Sequence, residues 1–122
     1  MKKLGIALLL LMCVDAQANY VKGAEMTVAD LELFCTTSDE GGKNACRFYI
    51  YGVVQGEGIA AGVMGDKAHF CYPDELSSAA MEVVVKMRMG EDLMIFPQDR
   101  SMPAVSFVTA VMMKEFPCHK TN

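Results

Sequence analysis

The sequence predicts a small all-α protein, a disulfide-stabilised bundle of about four to five helices. Three observations carry that expectation. Apolar residues recur three and four apart in four separate stretches, the period of an amphipathic helix. Polar, glycine-bearing or proline-bearing breaks separate the stretches. Cysteines stand at or beside their ends, at Cys35, Cys46, Cys71 and Cys118.

The first helix is expected from about Val28 to Cys35. Thr27 suits an N-cap, and Asp30 three residues on completes a short capping box. Leu31, Phe34 and Cys35 share one face. "TTSDEGGKN" then ends it, with Gly41-Gly42 read as a tight reversal. The second helix is expected from about Ala45 to Ala61, capped by Asn44, with Cys46, Tyr49, Ile50 and Val53 at helical spacing. "GVMGDKAH" reads as a loop. The third follows "FCYPDELSS", where Pro73 stops earlier structure and Asp74 or Ser77 can cap. Met81, Val84, Val85 and Met89 define its face, and Gly90 is expected to end it. "EVVV" alone would suit a strand, but its flanks, Ser-Ala-Ala-Met and Lys-Met-Arg-Met, are better helix formers. The fourth begins near Met102 with Ser101 as N-cap and Pro103 in the first turn. Val105, Val108, Val111 and Met112 form its stripe, and Pro117 stops it.

"CRFYIYGVVQGEG" breaks the usual economy of a helix. Glycine inside a helix costs roughly 1 kcal/mol relative to alanine, and this stretch holds Gly52, Gly56 and Gly58. Gly52 and Gly56 lie one turn apart, so they are read as points where another helix approaches closely. On that reading a leucine at Gly52 overpacks the fold.

The first residues, "MKKLGIALLLLMCVDAQANY", have the parts of a secretory signal. Lys2 and Lys3 form a basic start, Leu4 to Val14 an apolar run, and Ala16-Gln17-Ala18 a small-x-small cleavage site. Residues 1–18 are therefore expected to be a cleaved signal peptide and 19–122 the single mature domain. The apolar run is far shorter than the ~20 residues of a spanning helix. Cys13 offers a lipoprotein alternative, although Met12 stands where a small residue would precede the lipidated cysteine. Cleavage removes two lysines and one aspartate, so the formal charge of −4 becomes −5. A mildly acidic exported domain is a poor nucleic-acid binder.

Cys13 leaves with the leader, and an even set of four remains, which in an exported domain reads as two disulfides. Antiparallel hairpins place the end of the first helix beside the start of the second. They also place the entry to the third beside the exit from the fourth. The expected pairs are Cys35–Cys46 and Cys71–Cys118.

Chemistry is harder to find. The two histidines, His69 and His119, fall in a loop and in the tail. The serines lack a nucleophile-elbow context, and no phosphate-binding or dinucleotide-binding fingerprint occurs. Cys71 near His69 and Cys118 beside His119 are the weak candidates for zinc, with no C-x-x-C pair to support them. Of eleven methionines, Met1 and Met12 go with the leader. The rest, with Met87/Met89 and Met112/Met113 close together, read as core or interface rather than a copper(I) site. Glu91, Asp92 and Asp99 cluster in one connection and read as solvated surface or an acidic contact rather than an acid–base pair. No catalytic residue, metal or cofactor is expected.

Several pieces together resemble the Rap/Tai immunity proteins of type VI secretion. They are C-x-x-Y-I-x-G-V-x-x-G in "CRFYIYGVVQG", C-x-P in "FCYP", V-V-x-K in "EVVVKM", and the P-A to F-P-C ending in "MPAVSFVTAVMMKEFPC". The resemblance covers most of the mature chain. It implies a periplasmic, all-helical, non-enzymatic protein whose partner is a secreted peptidoglycan amidase toxin. Inhibition would come from occluding the toxin's catalytic cleft, often from a homodimer. The chain departs from the pattern between Lys86 and Pro103. Phe96 and Ser101 stand where histidines are common, and a short insertion falls near "GEDLM". That departure makes the connection the expected contact, through Glu91, Asp92, Leu93, Met94, Ile95, Phe96, Gln98, Asp99 and Arg100. The competing readings are a periplasmic acid-stress chaperone, and, further off, a small hydrolase or metal carrier.

Overall fold

Thr27 opens the first helix by exchanging hydrogen bonds with Asp30. The Asp30 backbone N–H donates to Thr27 Oγ1 at 3.3 Å, and the Thr27 N–H donates back to Asp30 Oδ2 at 2.9 Å. That backbone donor, then the Thr27 hydroxyl, hold the Asp30 carboxyl below its usual range. The computed structural model describes residues 25–119; the expected signal peptide and its cleavage site lie outside them. Helix α1 spans Val28–Thr36, α2 Glu40–Met64, α3 Ser78–Ile95 and α4 Ala104–Glu115, with a 3-10 helix at Pro97–Ser101 between the last two. The fold is all-α, with two disulfides.

Helix α2 is longer at both ends than the periodicity suggested. Asp39, not Asn44, is its N-cap, accepting from the Gly42 N–H at 3.0 Å. Gly41 and Gly42 therefore lie in the first helical turn rather than in a reversal. Gly42 is needed there because a Cβ would run into the Thr37 side chain. The far end reaches Met64, and Gly65 caps it in the left-handed region at φ 71°. Glycine adopts that conformation without the clash an L side chain meets.

The glycines inside α2 do not pack against a neighbour. Gly52 and Gly56 face solvent, and a Cβ at either would meet nothing within 4 Å. The reason is angular. Cys46, Ile50 and Val54 form the buried stripe, and residues 52 and 56 lie on the opposite side of the cylinder. The expectation of overpacking at Gly52 is thus overturned. Gly52→Ala is expected to stabilise the domain by about 1 kcal/mol, the helix-propensity difference with no steric charge against it. Urea unfolding of the two proteins side by side measures it; a destabilised alanine variant would show that the glycine serves something inside the fold.

Helix α3 starts where Ser77 Oγ accepts the Ala80 N–H at 3.1 Å. It does not stop at Gly90. Met81, Val85, Met89 and Leu93, each one turn from the last, continue a single buried stripe. Burying Leu93 outweighs the modest penalty of one exposed glycine. Pro97 ends the helix instead, by forcing Phe96 out of helical geometry to φ −123°, ψ 69°.

Helix α4 has no side-chain cap. Ser101 belongs to the 3-10 helix, and its hydroxyl donates to the Gln98 carbonyl at 3.0 Å. The chain entering α1 supplies the missing partner. An isolated antiparallel bridge joins Thr27 and Pro103, with Ala104 N–H donating to Met26 O at 2.8 Å and Val28 N–H to Met102 O at 2.9 Å. Backbone from elsewhere in the chain thus satisfies donors that a capping side chain usually takes. On α4 the inward residues are Ala104, Phe107, Val108, Val111 and Met112. Phe107 packs inward where Val105 was expected, and Val105 stays exposed.

The helices close on one core whose fully buried side chains include Leu31, Ile50, Met81, Val85, Val108 and Met112. α2 touches α1, α3 and α4. Cys35–Cys46 joins the end of α1 to the early part of α2, with Cα atoms 5.0 Å apart. Cys71–Cys118 joins the approach to α3 to the segment leaving α4, with Cα atoms 4.8 Å apart. The Cys71 N–H donates to Phe116 O at 2.8 Å beside it, so backbone and disulfide hold the same junction. Between α2 and α3, the buried Glu82 carboxylate is met by Arg47 Nε at 2.7 Å and by Lys86 Nζ at 3.8 Å. A buried charge is tolerated when it is paired in this way.

Candidate functional site

The segment from Glu91 to Arg100 is a corner, formed by the last turn of α3, the Pro97 break and the 3-10 helix. Sequence reading places it in a loop; the structure makes it mostly helical. Regular structure divides its side chains into four roles. Leu93 points into the core, 5% exposed, and offers nothing to a partner. Met94, Ile95 and Phe96 project outward, 86%, 69% and 47% exposed. Consecutive residues on a helix point about 100° apart, so one apolar run feeds both core and surface.

Arg100 stays exposed and pairs with α1. Its Nε and Nη2 donate to Glu32 Oε2 and Oε1 at 2.8 and 3.0 Å. The Glu32 carboxylate holds the Arg100 guanidinium above its usual range. This bidentate pair ties the 3-10 helix to α1 and aims the corner. Gln98 stays exposed on the outer edge, its carbonyl engaged by Ser101.

The fourth role belongs to Glu91, Asp92 and Asp99, which with Ile95 and Phe96 form one wall of a cleft of about 400 Å³. α4 supplies most of the other wall, through Phe107, Ala110, Val111 and Lys114, with Met102 and Arg88 completing the lining. Sequence reading missed that wall. The spacing of Phe107, Ala110, Val111 and Lys114 puts them on one helical stripe, but only the packing of α4 beside the end of α3 turns the stripe towards Asp92.

Charge is distributed unevenly around the cleft. Arg88 donates from Nη1 to Glu91 Oε2 at 2.8 Å. Its Nε lies 2.7 Å from Glu115 Oε1, an ion pair that lacks hydrogen-bond alignment. Glu115, then Glu91, push the guanidinium above its usual range. Asp92 is the counterpoint. Its Oδ2 is shut off from solvent and accepts no hydrogen bond. Burial first, then the adjacent Asp99 carboxylate, push the Asp92 carboxyl up, and Lys114 offsets part of this.

Neither histidine lines the cleft, and all four cysteines of the described residues are in disulfides. Among the described residues no group of three His, Cys, Asp or Glu side chains is placed to hold a metal ion. No helix among them is long and apolar enough to cross a membrane. What the corner can do is bind: an exposed apolar ridge stands beside an acid-lined, apolar-floored cleft.

A small all-helical binding domain with two disulfides is the class that fold and site define. The chain belongs to the family of Rap1a immunity proteins, whose family model matches residues 27–118. The match begins at the α1 cap and ends on the last cysteine, so it spans every helix of the described residues and both disulfides. Membership gives the chain an immunity role, exercised by binding a cognate effector toxin. No curated protein and no solved structure matches it.

Proposed function

We propose that the chain is exported to the periplasm and there binds and inhibits a peptidoglycan amidase effector of type VI secretion, without catalysis of its own. Family membership supports the immunity role. The secretory pattern of residues 1–18 supports export, and two disulfides suit an oxidising compartment. The amidase as target follows from the resemblance of the four motifs.

One observation carries the choice of contact surface: Met94, Ile95 and Phe96 stand exposed in sequence at the α3 corner. Three consecutive large apolar side chains in water gain free energy when a partner covers them. In this reading the ridge enters or covers the toxin's cleft, and the Arg100–Glu32 pair and buried Leu93 keep it in position.

Met94→Glu with Ile95→Glu tests the assignment without touching the core. The double variant is expected to keep its circular dichroism and melting curve and to lose at least about tenfold in affinity for the cognate amidase. Calorimetry on the purified pair reads the affinity. Unchanged affinity in a folded variant would move the contact elsewhere, and an amidase that the parent chain never binds would remove the target class.

A further inference from the structure

The cleft beside the ridge holds an unmet electrostatic demand. Three carboxylates line it, Glu91, Asp92 and Asp99, against two cations, Arg88 and Lys114, and Glu115 adds a fourth carboxylate behind Arg88. The cations do not serve the carboxylates equally. Arg88 is engaged by Glu91 and Glu115. Lys114 makes no ion pair within 4 Å among the described residues, and neither do Asp92 and Asp99. Asp92 Oδ2 is buried with no donor facing it. A buried acceptor left in that condition is costly, and any donor that arrives recovers the cost.

The floor limits which donor can arrive. Phe96, Met102, Phe107 and Val111 line the approach with apolar surface. The fitting group has an apolar stem and a cationic head. We propose that the cleft receives an arginine side chain of the bound partner, its methylenes along Phe96, Met102 and Phe107 and its guanidinium between Asp92 and Asp99. Arginine suits better than lysine because a planar fork of donors can serve two carboxylates at once. Its stem also tolerates burial along apolar walls. The net negative charge of the chain, −4, favours approach of a basic group to this face.

This deepens the immunity reading by adding a socket to the ridge, and it rests on that reading only for the source of the arginine. Four groups set the charge around Asp92: Arg88 and Glu91 on α3, Asp99 on the 3-10 helix, and Lys114 across the cleft on α4. Asp92, the carboxyl that burial and Asp99 push up, must give up its proton to pair fully with the guanidinium. Binding therefore strengthens as pH rises through the Asp92 transition.

The test uses the intact chain and small probes, so it needs no effector. Nα-acetyl-arginine amide and its uncharged counterpart, Nα-acetyl-norleucine amide, are titrated into 15N-labelled protein and followed by amide NMR. The arginine probe is expected to shift the amides of Asp92, Phe96 and Asp99 saturably, and the norleucine probe to leave them in place. Asp99→Asn is expected to weaken the arginine probe by about tenfold, the loss of one charge-assisted contact. Asp99 is part-exposed and lies outside the buried core, so the variant is expected to keep its fold, which circular dichroism checks. Absence of saturable shifts, equal response to norleucine, or unchanged binding by Asp99→Asn would each overturn the socket. Failure of the chain to bind an amidase would count against the proposed function alone, because the arginine titration does not depend on it.

Discussion

Replacing Cys71 and Cys118 together by serine is expected to lower the unfolding free energy by about 4 kcal/mol. The disulfide closes a 47-residue separation. The chain-entropy model assigns that much to the freedom regained by the unfolded chain. The shorter bridge, Cys35–Cys46, with a separation of 11, is worth about 3 kcal/mol on the same basis. Single small domains are stable by only about 5–15 kcal/mol, so the long bridge decides how much of the population is folded in warm, dilute conditions. The loss also has a location. Cys118 follows α4 and Cys71 precedes α3, and those two helices provide most of the lining of the cleft. Urea unfolding of the oxidised double variant against the parent reads the difference, with the slope reported because an uncrosslinked unfolded state exposes more surface. A change below about 1 kcal/mol would show that the Cys71 N–H to Phe116 O hydrogen bond and the helix packing hold the junction without the bridge.

The second large effect concerns Leu93, which stands among the residues expected to contact a partner. Leu93→Ala is expected to cost about 2–5 kcal/mol of stability, through lost burial and the cavity left behind. Met94→Ala, one residue on, is expected to leave stability within about 0.5 kcal/mol. The contrast follows from position on the cylinder: Leu93 extends the buried line of Met81, Val85 and Met89, while Met94 is 86% exposed. In partner binding the order reverses, with Met94 the sensitive position and Leu93→Ala acting only as far as the corner loosens. Thermal melts and calorimetry on the same two variants separate the effects. A Leu93→Ala protein as stable as the parent would show that α3 ends at Gly90 in solution.

Much of the fold was legible because its signals are local. The Thr27/Asp30 capping box appears where sequence reading places it, Ser77 is the cap of the two candidates, and the stripes of α1 and α3 hold their expected Leu31, Cys35, Met81, Val85 and Met89; on α4 Phe107 replaces Val105. The disulfide pairs followed from helix ends brought together by antiparallel hairpins. The errors share a different cause. Gly41-Gly42 and Gly90 read as stops because glycine disfavours helix in isolation, yet Asp39 capping and Leu93 burial outweigh that penalty. Gly52 and Gly56 read as contact points and are not, because spacing alone does not say which face of a helix meets the core.

The same division runs through the candidate site. The apolar run Leu93 to Phe96 and the acids around it can be read in the linear chain, and so can the resemblance that implies an immunity role. Sequence by itself settled the helical class and the four-cysteine framework. Only tertiary packing decided that Leu93 turns inward, that Arg100 pairs with Glu32, and that α4 brings Phe107 and Lys114 opposite Asp92. Helix periodicity and capping act over one or two turns and are written in neighbouring residues. A cleft between two helices depends on their relative placement, set by many weak contacts distributed over the whole core.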